Sequence, residues 1–159
     1  MSDISIYLSS RNNYDMIENV FLKNTDLEGY KLYNIDDNSE EDEVLKGREI
    51  CDRNNVTFIE NKGRGLQWAA KTMIDYLSDN DIDSKFVVWC THDTFPLTSK
   101  FFSKFDKLVG TGQLDEFGMI GFNIFGPQNS YNNPSDVSDN TCVVTISAIL
   151  FPIVRHKKF

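Results

Sequence analysis

The chain has 159 residues, of which 40% are hydrophobic and 25% are charged, which is typical of a globular protein with one core. Its formal net charge of −8 and its isoelectric point near 4.7 argue against nucleic acid as the main partner, because a nucleic-acid backbone requires a basic face. An anionic ligand would need a divalent cation or backbone donors at its site.

The cysteines and the amino-terminal residues indicate the compartment. Cys51, Cys90 and Cys142 lie far apart without Cys-x-x-Cys spacing, which matches neither a disulfide framework nor a zinc motif. The first residues lack the basic segment and apolar core of a signal peptide, and the longest apolar stretch, 142–154, is too short to span a bilayer. We therefore expect a cytoplasmic protein with no transmembrane segment.

The first half of the chain alternates short apolar runs with apolar residues at helical spacing. Ser39 with Asp42 fits a helix-capping pattern, and acidic residues fill the turn that follows. Residues 61–65 carry two glycines and an arginine but lack the Gly-Lys-Ser/Thr ending of a Walker loop. The predicted elements are strands at 4–8, 30–35 and 56–59 and helices at 13–23, 40–51 and 66–77.

The second half begins with an apolar strand at 86–90 that ends abruptly in the polar cluster 91–94. Thr98 or Ser99 can cap the next predicted helix, whose phenylalanines share one apolar face over 101–109. Three further segments are predicted: a strand at 117–125, a polar loop at 126–140, and a strand or buried helix within 142–154.

This alternation predicts the fold class. Strands separated by helices of crossover length indicate an α/β fold with a mainly parallel central sheet and helices on both faces, in three layers. The carboxyl ends of parallel strands meet at one edge, where such folds bind ligands. The polar clusters 9–12, 36–39, 61–65 and 91–94 all follow strands, so the sequence predicts a ligand site there.

Each cluster, taken alone, also fits an ordinary turn, since Asp, Asn, Ser and Thr bond to their own backbone in turns. Arg64 is unfavourably placed for the helix dipole at a helix start, which raises the chance that it faces an anionic ligand, although an exposed surface role is still slightly favoured. The pair His92 and Asp93 is suited to a metal or a phosphate-bearing ligand.

Four segments resemble the nucleotide-binding half of family-two glycosyltransferases with the GT-A fold. They read Ile-Ser-Ile…Ser-Ser-Arg-Asn, Asn-Ile-Asp-Asp-Asn-Ser, Glu-Asn-Lys-Gly-Arg-Gly and Val-Val-Trp-Cys-Thr-His-Asp-Thr-Phe-Pro, and the resemblance covers about residues 3–125. It implies that Asp37, and with it Asp36, recognises the nucleobase of a UDP- or GDP-sugar. The expected nucleotide-binding residues are Ser10, Arg11, Asp36, Asp37, Asn61, Gly63, Arg64 and His92.

The resemblance also implies a divalent cation, Mn²⁺ or Mg²⁺, on the diphosphate. Asp93 fits the position of the ligating carboxylate, whereas His92 and Thr94 replace acids often found beside it. Hard cations prefer oxygen ligands, and His suits Mn²⁺ better than Mg²⁺.

We expect a single domain over 1–159 whose acceptor part, about 127–159, is short or missing. The main hypothesis is a glycosyltransferase that moves a sugar from a nucleoside diphosphate to a sugar or glycan acceptor by metal-assisted direct displacement. Asp136 and Asp139 are the late carboxylates, but nothing marks either as the catalytic base. The alternative is an inactive or truncated relative that binds nucleotide or a partner. An unrelated nucleotidyltransferase would need a glycine-rich loop after the first strand, and residues 9–13 contain no glycine.

Overall fold

The computed structural model describes residues 4–80, 84–91 and 99–115 and the backbone of 151–152. The strands are β1 (Ile4–Ser10), β2 (Lys31–Asp36), β3 (Thr57–Glu60), β4 (Phe86–Thr91) and β5 (Phe151–Pro152). The helices are α1 (Tyr14–Met16), which continues as π-helical turns over Ile17–Leu22, α2 (Glu41–Arg53), α3 (Leu66–Asp79) and α4 (Phe101–Gly110). None of the helices in these ranges is long and apolar enough to cross a membrane.

The five strands form one sheet in the order β3-β2-β1-β4-β5. The first four are parallel to their neighbours, and β5 is antiparallel to β4. The register aligns the strand ends, because Ser10 pairs with Asp36, and Asp36 pairs with Glu60. The carboxyl ends of β1, β2 and β3 therefore meet at one edge.

Side chains of β1 alternate between two apolar layers, as the pleat of a strand requires. Ile4, Ile6 and Leu8 pack in one cluster with buried residues of α1, α2 and α4. Tyr7 packs on the opposite face in a second cluster that includes α3. The predicted α/β fold, with a mainly parallel sheet between helices on both faces, is confirmed.

Two local predictions differ from the structure. The helix predicted at 13–23 has wide π turns, in which Lys23 N–H bonds to the carbonyl of Glu18, five residues back. Val20, which a regular helix would place on the buried face, is 39% exposed. The predicted cap is wrong as well, because α2 begins after Glu40 and the Ser39 hydroxyl donates to the carboxylate of Asp36.

The contact between α1 and α2 depends on a glycine in the middle of a helix. A Cβ atom at Gly47 would come within 2.7 Å of three ring atoms of Tyr14. Glycine inside a helix lowers stability by about 0.5–1 kcal/mol relative to alanine, so Gly47 makes α2 intrinsically less stable. The missing side chain provides the space for the Tyr14 ring, which is fully buried.

We predict that Gly47→Ala lowers the free energy of unfolding by about 1–3 kcal/mol, because overpacking of a filled core outweighs the gain in helix propensity. Urea unfolding followed by circular dichroism measures the change. Gly110→Ala is the matched control, since a Cβ at this helical glycine meets no atom within 4 Å. A Gly47→Ala protein as stable as the parent would contradict the proposed fit of Tyr14.

Candidate functional site

Three of the polar clusters predicted from the sequence meet at the carboxyl edge, which we define as residues 10–13, 36–39 and 60–65. Beyond the paired strands, the N–H of Asp37 donates to the carbonyl of Ser10 at 2.7 Å. The N–H of Asn61 donates to the carbonyl of Asp36 at 2.9 Å. These bonds extend the sheet ladder into the loops and fix the three clusters beside one another.

A buried polar network supports this edge from inside. Asp36 is 3% exposed, and its carboxylate accepts hydrogen bonds from the hydroxyl of Tyr14 at 2.6 Å and from both the hydroxyl and the N–H of Ser39. Ser10 donates to Asn34 at 2.9 Å, and the Asn34 amide donates to the Tyr14 hydroxyl at 3.2 Å. Ser10 and Asp36, both expected to bind nucleotide, thus lie beneath the surface, where they position the loops.

Burial has electrostatic consequences within this network. It raises the pKa of the Tyr14 hydroxyl far above its usual value, and the hydrogen bond to Asp36 acts in the same direction. Burial also raises the pKa of the Cys51 thiol to about 12, with a further contribution from the charge of Asp36. Both groups are therefore neutral in the folded protein at physiological pH.

Asp37 is arranged differently from its neighbour. Its Oδ1 atom accepts the side-chain amide of Asn61 at 2.8 Å and the N–H of Gly65 at 2.6 Å. Its Oδ2 atom has no hydrogen bond to any residue in the described ranges. Asp37 is partly buried. The carboxylate is thus held rigidly by one oxygen, while the other remains able to accept a donor from a ligand.

The loop between β3 and α3 is fixed on two sides. Asn61 is 8% exposed, and its Oδ1 atom accepts the hydroxyl of Thr72 at 2.8 Å and the N–H of Gly63 at 3.4 Å. On the other side, the amide of Asn38 donates to the carbonyl of Gly63. These contacts join the loop to α3 and to the residues that follow β2.

Two arginines of the carboxyl edge carry uncompensated charge. Arg11 and Arg64 are exposed, and neither forms an ion pair or hydrogen bond with another residue of the described segments. Arg48 and Arg53, on α2, each pair with a glutamate. In a chain of net charge −8, exposed guanidinium groups without an ion pair among the described residues are suited to an anionic ligand.

The predicted metal site cannot be placed on this edge from geometry, because His92 and Asp93 lie outside the described residues. Asp136 and Asp139, the late carboxylates, also lie outside them. Within 4–80, 84–91 and 99–115 there is no group of three His, Cys, Asp or Glu side chains that could hold a metal ion. The cation therefore remains a prediction from the sequence.

A pocket of about 270 Å³ lies elsewhere, among Leu27, Tyr30, Leu32 and Asn54. These residues are near the start of β2 and the end of α2, so the pocket lies at the amino-terminal end of the strands. Open α/β sheets bind ligands beyond the carboxyl ends of their strands. For this reason we assign the candidate site to the carboxyl edge and not to the pocket.

Several residues that build the site were missed by the sequence reasoning. Asn34 had a usable signal, because a polar residue inside an apolar strand needs a buried partner. Gly47 in a helical pattern was a similar signal for a close contact. Tyr14, Asn38 and Thr72 had no such signal, since their roles depend on partners far away in the chain.

Comparison with known proteins does not assign a family. Neither a protein-family model nor a curated protein matches the chain. Among solved structures, it is similar to a cytidylyltransferase from Leptospira borgpetersenii serovar Hardjo-bovis (strain JB197), with 18% identity and a TM-score of 0.48. The match covers 77% of this chain and 53% of the other, so the chain spans about half the length of that protein. The α/β fold of this chain is established by its strand order and by the packing of its helices on both faces of the sheet.

The raised pKa values of Tyr14 and Cys51 predict a loss of stability in alkali. In the unfolded chain these groups release protons near their ordinary pKa values of 10.0 and 9.0, whereas in the folded chain they retain them. The unfolded state then binds fewer protons, so the free energy of unfolding should fall as the pH rises above about 9.

Replacing Tyr14 by Phe isolates the contribution of the Tyr14 hydroxyl to this pH dependence. Tyr14→Phe should lower stability at pH 7 by about 1–3 kcal/mol, because Asp36 loses a buried donor. Above pH 10 its stability should fall less steeply than that of the parent, by up to about 1.4 kcal/mol per pH unit. Urea unfolding at a series of pH values measures both effects, and identical slopes for the two proteins would contradict the assignment.

Proposed function

We propose that the carboxyl edge binds a nucleoside-diphosphate sugar, UDP- or GDP-linked, and that the protein transfers the sugar to an acceptor hydroxyl. The observation that carries the proposal is the arrangement of Asp37. One carboxylate oxygen is fixed by Asn61 and Gly65, and the other is open, while the neighbouring segments carry two arginines, Arg11 and Arg64, without an ion pair among the described residues. An acceptor oxygen suits the N–H groups of a nucleobase, and guanidinium groups suit a diphosphate.

In the proposed reaction, the acceptor oxygen bonds to the anomeric carbon of the sugar while the bond from that carbon to the diphosphate breaks. A carboxylate takes the proton of the acceptor hydroxyl. Arg11 and Arg64 would bind the diphosphate and stabilise its charge as it leaves. A divalent cation at Asp93 would add to that neutralisation, which an acidic chain needs.

The second candidate is a relative that binds nucleotide or a partner without turnover. It is favoured by the state of the carboxylates at the carboxyl edge. Asp36 is buried, Glu60 is paired with Arg48, and the open oxygen of Asp37 is assigned to the nucleobase in the first proposal, so the described edge offers no further carboxylate as a base.

We predict that binding of UDP or GDP requires Mn²⁺ or Mg²⁺. Asp93→Ala should lose most of the affinity, and its remaining binding should no longer depend on the metal. Isothermal calorimetry with metal, and then with EDTA, measures both. Equal affinity in EDTA would remove Asp93 from its proposed role.

A product assay with a panel of sugar nucleotides separates the two candidates. Product formation that is abolished in Asp93→Ala supports the enzyme. Binding without product from any of them supports the second candidate.

Asp37→Asn is a sharp test of the nucleobase contact. The amide oxygen can still accept from Asn61 and Gly65, whereas the open acceptor Oδ2 becomes a donor. We expect the dissociation constant for the preferred nucleotide to rise about tenfold or more, since a hydrogen bond to a charged group contributes about 1.5–3 kcal/mol. The unfolding curve should change little.

Arg64→Gln should weaken binding to a similar extent by removing a charge from the diphosphate. Lys107→Gln, at an exposed position of α4, makes the same change in net charge outside the carboxyl edge and serves as the control. Equal losses in the two variants would indicate a general effect of charge and would contradict a specific contact at Arg64.

A further inference from the structure

An exposed aromatic ring packs against the carboxyl edge. Trp68 lies in the first turn of α3 and is 47% exposed, whereas Trp89 in β4 is 5% exposed. Helical side chains lean towards the amino end of their helix. The indole of Trp68 is therefore directed back over the start of α3, towards residues 61–65.

The loop backbone covers one face of this ring. A Cβ atom at Gly63 would come within 2.7 Å of three indole carbons of Trp68, so the ring lies directly against the glycine. Gly63 is itself fixed, because its carbonyl accepts the amide of Asn38 and its N–H donates to Asn61. An exposure near one half is what a ring with one covered face and one open face should have.

The ring packs on the same short loop that carries proposed ligand contacts. Arg64 follows Gly63 directly, and the N–H of Gly65 binds the carboxylate of Asp37. Through Gly63 and Gly65, the loop contacts both the ring of Trp68 and the carboxylate of Asp37, and Arg64 lies between these two glycines in the chain. A planar heterocycle that carries N–H donors and a linked phosphate matches all three.

We infer that Trp68 is the stacking platform for the nucleobase, with Gly63 as its rigid support. This inference rests on the proposed function, because it names a further residue of the nucleotide site. Stacking is tolerant of base identity, whereas a hydrogen bond to Asp37 is selective. Trp68 therefore supplies affinity for any nucleotide, and Asp37 supplies the choice of base.

Tryptophan fluorescence provides the direct test. Titration of the protein with UDP or GDP and Mg²⁺ should quench the emission, with a midpoint equal to the dissociation constant from calorimetry. Trp68→Phe should lose the quenching, since the remaining Trp89 is buried. By calorimetry, Trp68→Ala should weaken binding of both nucleotides about tenfold, and Trp68→Phe should weaken it less.

Gly63→Ala tests the support separately. The added methyl group should displace the indole and weaken binding, whereas Gly110→Ala, in open space on α4, should leave it unchanged. Thermal unfolding checks that each variant is folded, and Trp68→Phe provides the conservative replacement.

The outcomes separate the two proposals. Nucleotide binding that is unchanged in Trp68→Ala would overturn the platform and leave the proposed function intact. An absence of nucleotide binding in the parent protein, with and without metal, would overturn both. Quenching by methyl glycosides and not by nucleotides would assign the ring to the acceptor sugar and overturn the platform as proposed.

Discussion

The buried carboxylate of Asp36 is the constraint on which the carboxyl edge depends. A carboxylate with 3% exposure is costly unless its oxygens accept hydrogen bonds. Here the donors come from Tyr14 on one side and from Ser39 on the other, while the backbone carbonyl of Asp36 accepts from Asn61. One residue therefore joins the turns that follow β1, β2 and β3, and the positions of all three depend on it.

Asp36 and Asp37, successive residues at the end of β2, have different environments. Asp36 is directed into the core and is saturated with donors, whereas Asp37 is tied at one oxygen and open at the other. Alternation of side chains along a strand allows this division. Asp36 is inaccessible and the loop around Asp37 is already ordered in the folded protein, so a ligand bound there would not have to order it.

The sequence was sufficient to predict strands β1 to β4 and the fold class, and insufficient to predict the side-chain hydrogen bonds at the carboxyl edge. Apolar runs gave β1 to β4 because buried parallel strands are apolar throughout. The clusters at 36–39 and 61–65 were correctly expected to be neighbours, since parallel strands end together. The prediction that Ser39 caps α2 was wrong, because its hydroxyl donates to the buried carboxylate of Asp36 instead. That carboxylate also accepts from Tyr14, a partner that the local sequence pattern does not reveal. The π turns at Ile17–Leu22 also had no signature in the apolar spacing.

The two unpaired arginines have a consequence for the kinetics of encounter. At long range, an incoming anion meets a molecule of net charge −8, and only close to the surface does it meet Arg11 and Arg64. The repulsive field is screened beyond about 8 Å at physiological ionic strength, while the attraction acts at contact. For the proposed diphosphate ligand, added salt should first speed association and then, at higher concentration, weaken the complex. A basic, electrostatically steered receptor should instead associate more slowly as soon as salt is added.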